Sequence, residues 1–465
     1  MIRKLPVFFC LFFTLTAVAQ WDDTDRLSAQ FHASRREALR QLMPAKSIAV
    51  FFSNPVRNRS NDVDYQYSQN PDFYYLSGYL EPNSMLLIFK EEQKINGVTC
   101  NEVLFVQPRN AKNEIWTGKR LGVEGAKRIW KIIAVFDNYE FENSSIPFNN
   151  MEKILVNLPI YPNKTTGEKI DLAALVAKFE QITGNYLDRY DPTQCSKYMA
   201  LLREIKQPEE LILMQKAINI TMSGFKEMIR AVEPGFTEYQ AQAIVEYYMK
   251  KEGSEYPGYP SIVGSGTNSC VLHYTFNRKK LAENDVLLID MGAEYHGYTA
   301  DITRTIPVNG RFSIEQRIIY QLVYDAQQAG INECKPGTIF RAPHNAAFEV
   351  IAKGLKQLGI IKDESEAKTY FMHGTSHYLG LDVHDAGTFG TLKTNSVITV
   401  EPGIYIPENS NCDKKWWNIG IRIEDDILIT DTGHINMSGL LPSTIEGIEK
   451  LMQEQSVFNG INNQK

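Results

Sequence analysis

Four carboxylates stand inside short, otherwise apolar segments in the second half of this chain, and that placement limits what the chain can fold into. Asp290 follows Val286, Leu287, Leu288 and Ile289, and Asp301 comes eleven residues later, within 298–305. Glu401 closes the run 397–400, and Glu424 follows Ile421, Arg422 and Ile423. His377 lies in 373–385, which also holds His373 and His384. An ionised carboxylate on a buried strand is unfavourable unless a cation compensates it. The fold must therefore gather these segments round a shared positive charge, and bound metal ions are the simplest source.

Ligand chemistry narrows the ion. Asp290, Asp301, Glu401 and Glu424 offer oxygen and His377 offers one imidazole, with no thiolate in the set. Such a hard donor set favours Mn²⁺, with Co²⁺ or Zn²⁺ as other occupants, over a structural zinc site. Two ions about 3.5–4 Å apart, bridged by carboxylates, hold a hydroxide that attacks a carbonyl or a phosphoryl centre. The residues alone leave those two centres open.

A chain of 465 residues exceeds one ordinary domain, so two are expected. The net charge of −6 is dispersed and gives no basic footprint for nucleic acid. Residues 1–19 read as a signal peptide: Arg3 and Lys4, an apolar run from Pro6 to Ala17, then small residues before Gln20. That run is short for a bilayer span, and Cys10 lacks the small residues of a lipoprotein cleavage site before it. The expected location is therefore secreted or periplasmic, with no stable membrane anchor. Cys100, Cys195, Cys270, Cys334 and Cys412 remain, without a C-x-x-C or a zinc spacing. One disulfide is possible, but a fold of this size does not need it.

Along the chain, helical periodicity covers 26–43, and short strands are expected at 47–52, 85–90 and 103–107. Helices at 122–130 and 171–183 complete an alternating α/β unit. Segment 61–81 reads as loop and short strand. The charged stretch 199–210 places a boundary near residue 200, giving domains at 20–200 and 201–465. The second opens with a helix that starts at Pro208 and another capped by Thr237 and Gln240. A helix capped by Ser313 and Gln316 and one over 344–358 come next. Strands at 397–406 and 421–430 close the sheet. A hairpin with His296-Gly297 near its turn sets Asp290 beside Asp301.

Other motifs have plainer readings. Gly264-Ser-Gly266 lacks the third glycine of a dinucleotide loop and reads as a turn. Gly374-Thr-Ser-His-Tyr378 resembles a nucleophile elbow without its closing glycine. No H-E-x-x-H occurs, which removes the common helical zinc protease. Any one of the five ligands could be structural by itself; their conjunction on several segments carries the metal reading.

The segments 273–277, 288–292, 298–305, 373–385, 400–403 and 419–424 closely resemble the aminopeptidase P family of Xaa-Pro aminopeptidases, relatives of prolidase, creatinase and methionine aminopeptidase. In the first half, 69–79 and 114–120 look like that family's N-terminal domain. The resemblance spans nearly the whole mature chain. It implies an α/β (α+β) architecture: a creatinase-like α/β domain followed by a pita-bread metallopeptidase domain. It also implies two divalent metal ions held by Asp290, Asp301, His377, Glu401 and Glu424, with Asp301 and Glu424 bridging. Glu401 would be both ligand and general base. His384 and His273 would serve the oxyanion or the departing proline nitrogen, with His384 favoured as proton shuttle. His373 would be a wall or supporting residue, Arg422 would position substrate with Asp72 as its cross-domain partner, and Tyr259 would line the metal pocket. Trp116 matches a tryptophan that in oligomeric relatives reaches a neighbouring subunit's active site, so a homodimer or homotetramer is expected.

The substrate so implied is a peptide with proline at its second position. Proline lacks an N–H and has a fixed φ, so ordinary peptidases accept such bonds poorly. The rivals are a prolidase restricted to Xaa-Pro dipeptides and a non-catalytic pita-bread peptide-binding module. One departure stands out: Thr375 occupies a position where relatives often have a larger apolar residue.

Overall fold

The computed structural model describes residues 25–159 and 171–459, so the expected signal peptide lies outside the described residues. The chain separates into two compact units between Asp191 and Pro192. Residue 200, where the sequence suggests a boundary, falls within the helix Pro192–Arg203 of the second unit. No helix among the described residues is long and apolar enough to cross a membrane. The five cysteines named above are all free thiols.

The first unit is built on a five-stranded sheet in the order Val135–Asp137, Val98–Val106, Met85–Ile95, Ser47–Phe52, Lys153–Val156. Its inner pairs are antiparallel and its outer pairs parallel. Ile48, Val50, Leu87, Phe105 and Phe179 fill its core. The helix Ala29–Leu42 begins where the Ser28 hydroxyl accepts the N–H of Phe31 at 3.1 Å. Its buried Arg36 is neutralised by Glu102 at 2.8 Å and also donates to the carbonyl of Leu76. Within 61–81 the sequence suggests loop and short strand, and the strand Val63–Asp64 does form, paired with Asn58–Ser60 just before the segment. The helix Pro71–Ser77 is the correction. Asn70 caps it through the N–H of Phe73, Pro71 pre-sets its first turn, and Gly78 ends it at φ 70°. Two turns are too few to show a helical period among so many aromatics.

The second unit pairs the helices Pro208–Ala231 and Glu238–Lys251, and likewise Ile314–Asn332 and Ala342–Gln357. The expected caps are present: Thr237 with Gln240, and Ser313 with Gln316. After each helix pair runs a long antiparallel hairpin, and both hairpins break midway. The first continues from Val286–Met291 into Ala293–Tyr295, turns at His296 and Gly297 (φ 51° and 89°), and returns as Tyr298–Thr299 and Ile302–Pro307. The second is split into Val397–Val400 and Gly403–Ile406, then Ile419–Arg422 and Asp425–Ile429.

The continuous strands expected at 397–406 and 421–430 are therefore each two. Pro402 has no N–H to give a ladder, which ends the pairing there. At Gly292 a Cβ would sit 1.7 Å from the carbonyl oxygen of Ala300, so only glycine lets the two strands cross this closely. Asp301, Glu401 and Glu424 occupy these breaks, and Asp290 stands two residues before Gly292. A strand that changes sheets turns its side chains out of the regular alternation. That is how four carboxylates on two hairpins come to face one point.

Candidate metal centre and catalytic pocket

Asp290 and Asp301 are joined by Tyr259, whose hydroxyl lies 2.6 Å from Oδ1 of each. Asp301, His377 and Glu424 bring one ligand atom apiece within 4.8 Å of one another. His377 Nε2 is 3.3 Å from Asp301 Oδ2 and 3.6 Å from Glu401 Oε1. Its Nδ1 lies 3.0 Å from the carbonyl of Tyr378, which fixes the tautomer and aims Nε2 at the carboxylates. Glu424 accepts the hydroxyl of Thr303 at 2.6 Å.

Asp290, Asp301 and Glu424 are buried, and Glu401 stays partly open to the cavity. Burial pushes Glu401 up to about 7, although His377 and Arg422 oppose the shift. Burial, reinforced by neighbouring carboxylates, raises Asp301 and carries Glu424 well above the usual range. Burial opposes charging His377, but Asp301 and Glu401 outweigh it and raise the imidazole to about 9. The protein's own cations thus fall short of compensating the cluster. Divalent ions would supply the missing charge, and the oxygen-rich donors with one oriented imidazole fit them.

Round this cluster lies a cavity of about 620 Å³, lined by every second-half residue expected at the site: Tyr259, His273, Asp290, Asp301, His373, His377, His384, Glu401, Arg422 and Glu424. Ile262, Leu272 and Val383 give it apolar walls. His384 stands edge-on to His377, with ring centroids 4.3 Å apart. Its pKa is lowered by burial and by His377 and His273. Asp72 and Trp116 belong to the first unit. Asp72 is in the first turn of Pro71–Ser77, and Trp116, 88% exposed, is on the helix Ala111–Thr117, which buries none of its residues.

The family model "Aminopeptidase P, N-terminal domain" matches residues 32–152, and "Metallopeptidase family M24" matches 212–431. The Xaa-Pro aminopeptidase of Escherichia coli is 34% identical over 92% of this chain and 98% of its own. The chain belongs to the aminopeptidase P group of metallopeptidase family M24. The Xaa-Pro aminopeptidase of Haemophilus influenzae is 35% identical over 91% of this chain and 97% of its own. Among solved structures, Escherichia coli aminopeptidase P with the inhibitor Pro-Leu superposes with a TM-score of 0.80 at 33% identity, covering 92% of this chain and 98% of that one. Pseudomonas aeruginosa aminopeptidase PepP gives 0.82 at 31% identity, with the same coverage. The architecture is thus the aminopeptidase P N-terminal domain followed by a pita-bread domain, and this member of the aminopeptidase P group is a metallo-exopeptidase of the Xaa-Pro class.

Several residues that support the aminopeptidase P site were not singled out in the sequence. Tyr405 receives a hydrogen bond from Arg422 Nη1 at 2.8 Å and lies 2.8 Å from His373 Nε2. Its spacing from Glu401 on the next strand segment was the available signal. Asp426 is fully buried behind Asp301 and accepts its N–H at 3.2 Å. Burial, with the Asp301 charge, pushes that carboxyl well above the usual range. In the charged stretch 199–210, Arg203, Glu204 and Lys206 are buried. Lys206 Nζ lies 2.6 Å from Asp385, which Arg203 also contacts, so the residue after His384 is clamped from behind. Glu204 accepts the hydroxyl of Tyr378 at 3.0 Å and the N–H of Thr388 at 3.2 Å.

Proposed function

We propose that the protein is an exported aminopeptidase that releases an N-terminal residue standing before proline, working with two divalent ions, Mn²⁺ first among them. The observation that carries this reading is one cavity that unites five metal-ligand side chains with three further histidines and Arg422. The curated relatives at 34% and 35% identity are both named Xaa-Pro aminopeptidases, which favours peptides with proline second over Xaa-Pro dipeptides alone.

When bound, the ions supply Lewis acidity and an activated water. Glu401, partly open to the cavity and 3.6 Å from His377 Nε2, is placed to accept a proton from that water. His384 and His273 line the cavity beside the donor set, within reach of the oxyanion and the leaving proline nitrogen. Arg422 holds Asp290 at 2.6 Å and so orients a ligand as well as the substrate. Ile262 and Leu272 offer an apolar seat for a proline ring. Export rests on the leader expected at 1–19, and N-terminal sequencing of the protein recovered outside the cytoplasm should begin at Gln20. Assembly as a homodimer or homotetramer rests on the exposed Ile115 and Trp116, and light scattering would report it.

The test is hydrolysis by the metal-stripped chain, reloaded with Mn²⁺, of a Xaa-Pro-Yaa tripeptide beside the matching dipeptide. Release of the first residue from the tripeptide, with little from the dipeptide, is expected. Cleavage of the dipeptide alone would make it a prolidase, and no cleavage of either would leave a binding module.

A further inference from the structure

Next to the catalytic cavity lies a second one of about 550 Å³. The two share His373, Gly374, Ser376 and Phe389 in their walls, so they adjoin. The rest of the second cavity is Phe340, Arg341, His344, Met372 and Thr375, with no acidic residue. Met372 and Phe389 are exposed at 49% and 59%, and Phe389 packs edge-on against Phe340 at 4.9 Å. The Oγ of Ser376 is buried between the cavities with no hydrogen-bond partner. Arg341 is exposed and has no carboxylate partner among the described residues. Thr375, the departure from the larger apolar residue of relatives, is fully buried and lies 2.9 Å through its hydroxyl from His344 Nδ1. It holds that imidazole in the wall beside Arg341.

An exopeptidase that removes one residue has only that residue on the N-terminal side of the scissile bond. A cavity adjoining such a centre is therefore a candidate for the peptide residues beyond the proline. We propose that this second cavity is a subsite for the downstream part of the peptide. Apolar contacts from Phe389 and Met372 hold the chain there, and Arg341 takes a peptide carboxylate, either the C-terminus or an acidic side chain. This rests on the Xaa-Pro aminopeptidase reading above and adds a preference to it.

The test uses the full Mn²⁺-loaded enzyme and Xaa-Pro peptides of three, four and five residues. Each is supplied with a free C-terminal carboxylate, as the amide, and as the amide ending in Glu. At the length that reaches Arg341, the kcat/KM ratio of carboxylate to amide should be about fivefold, the size expected of an exposed ion pair. Arg341→Ala should bring that ratio to about one, and Arg341→Glu below one. Restoration of the preference by the Glu amide assigns the site to acidic side chains as well, and its absence assigns it to the C-terminus; either supports the subsite. A ratio near one in the unaltered enzyme at every length, a ratio indifferent to Arg341, or an Arg341 effect that tracks the first residue would overturn it. Cleavage of the amidated tripeptide by the unaltered enzyme reports the underlying activity separately, so failure of one idea is distinguishable from failure of the other.

Discussion

Arg422 Nη2 donates to Asp290 Oδ2 at 2.6 Å, so an expected metal ligand and the arginine expected to position substrate are one unit. The same guanidinium reaches Tyr405 and Thr303, and Thr303 in turn donates to Glu424. Lysine, a point donor on a flexible stem, cannot serve those three directions at once. Arg422→Lys should therefore weaken Mn²⁺ binding by about tenfold or more, the size of losses seen when ligand-supporting groups are removed. Titration calorimetry would measure it; unchanged affinity would confine Arg422 to the substrate.

Tyr405→Phe removes the acceptor for Arg422 Nη1 and the partner of His373 Nε2. An unsatisfied buried donor costs about 1–3 kcal/mol. The expected result is a fall of about tenfold in kcat/KM with metal content intact. Loss of metal would show that Tyr405 supports the ligands instead.

The clamp behind His384 is testable as a pair. Lys206→Met leaves Asp385 buried with Arg203 as its remaining cation. Breaking a buried ion pair from one side costs about 3–5 kcal/mol, and denaturant unfolding should show a loss toward the lower end of that range. Adding Asp385→Asn should return much of it. If the double variant is no better than the single one, the pair is not coupled as its geometry implies.

His32 gives the first unit an acid sensitivity. It is buried among aromatic rings, its Nδ1 lies 3.0 Å from the carbonyl of Tyr75, and its Nε2 has no partner. Burial, with the Arg36 charge adding, lowers its pKa from 6.5 to about 3. The unfolded chain therefore binds the proton more readily than the folded one. The contribution of neutral His32 is complete above pH 6.5 and is lost progressively between 6.5 and 3. At pH 5 the loss is on the order of 2 kcal/mol. Hydrogen exchange of the helix Ala29–Leu42 should accelerate on going from pH 7.5 to 5, after correction for the intrinsic rate, and His32→Phe should flatten that dependence. An equal response in the variant would remove His32 as the cause.

The features legible in the sequence have local causes. A carboxylate at the end of an apolar run, a Ser or Thr three residues before a Gln, and His296-Gly297 between two strands each carry their reason within a few residues. Thr303 and Asp426 act on partners distant in the chain and no short-range pattern marks them, while Tyr405 is marked only by its spacing from Glu401. The strand breaks at Glu401 and Glu424 escape notice because apolar alternation continues across them, even though Pro402 sits in plain view. Segment 199–210 suggests a domain boundary because its charges are many; Arg203, Glu204 and Lys206 are buried because Asp385 and Tyr378 meet them in the folded chain.

The proposed reaction depends on the metal. Stripped protein titrated with Mn²⁺ in a calorimeter, with hydrolysis of a Xaa-Pro-Yaa tripeptide monitored in parallel, should bind two ions per chain and regain activity as they bind. Asp301→Asn should lower that stoichiometry, since Asp301 touches both His377 and Tyr259. Full hydrolysis by the stripped chain, or one ion sufficing for full activity, would contradict it.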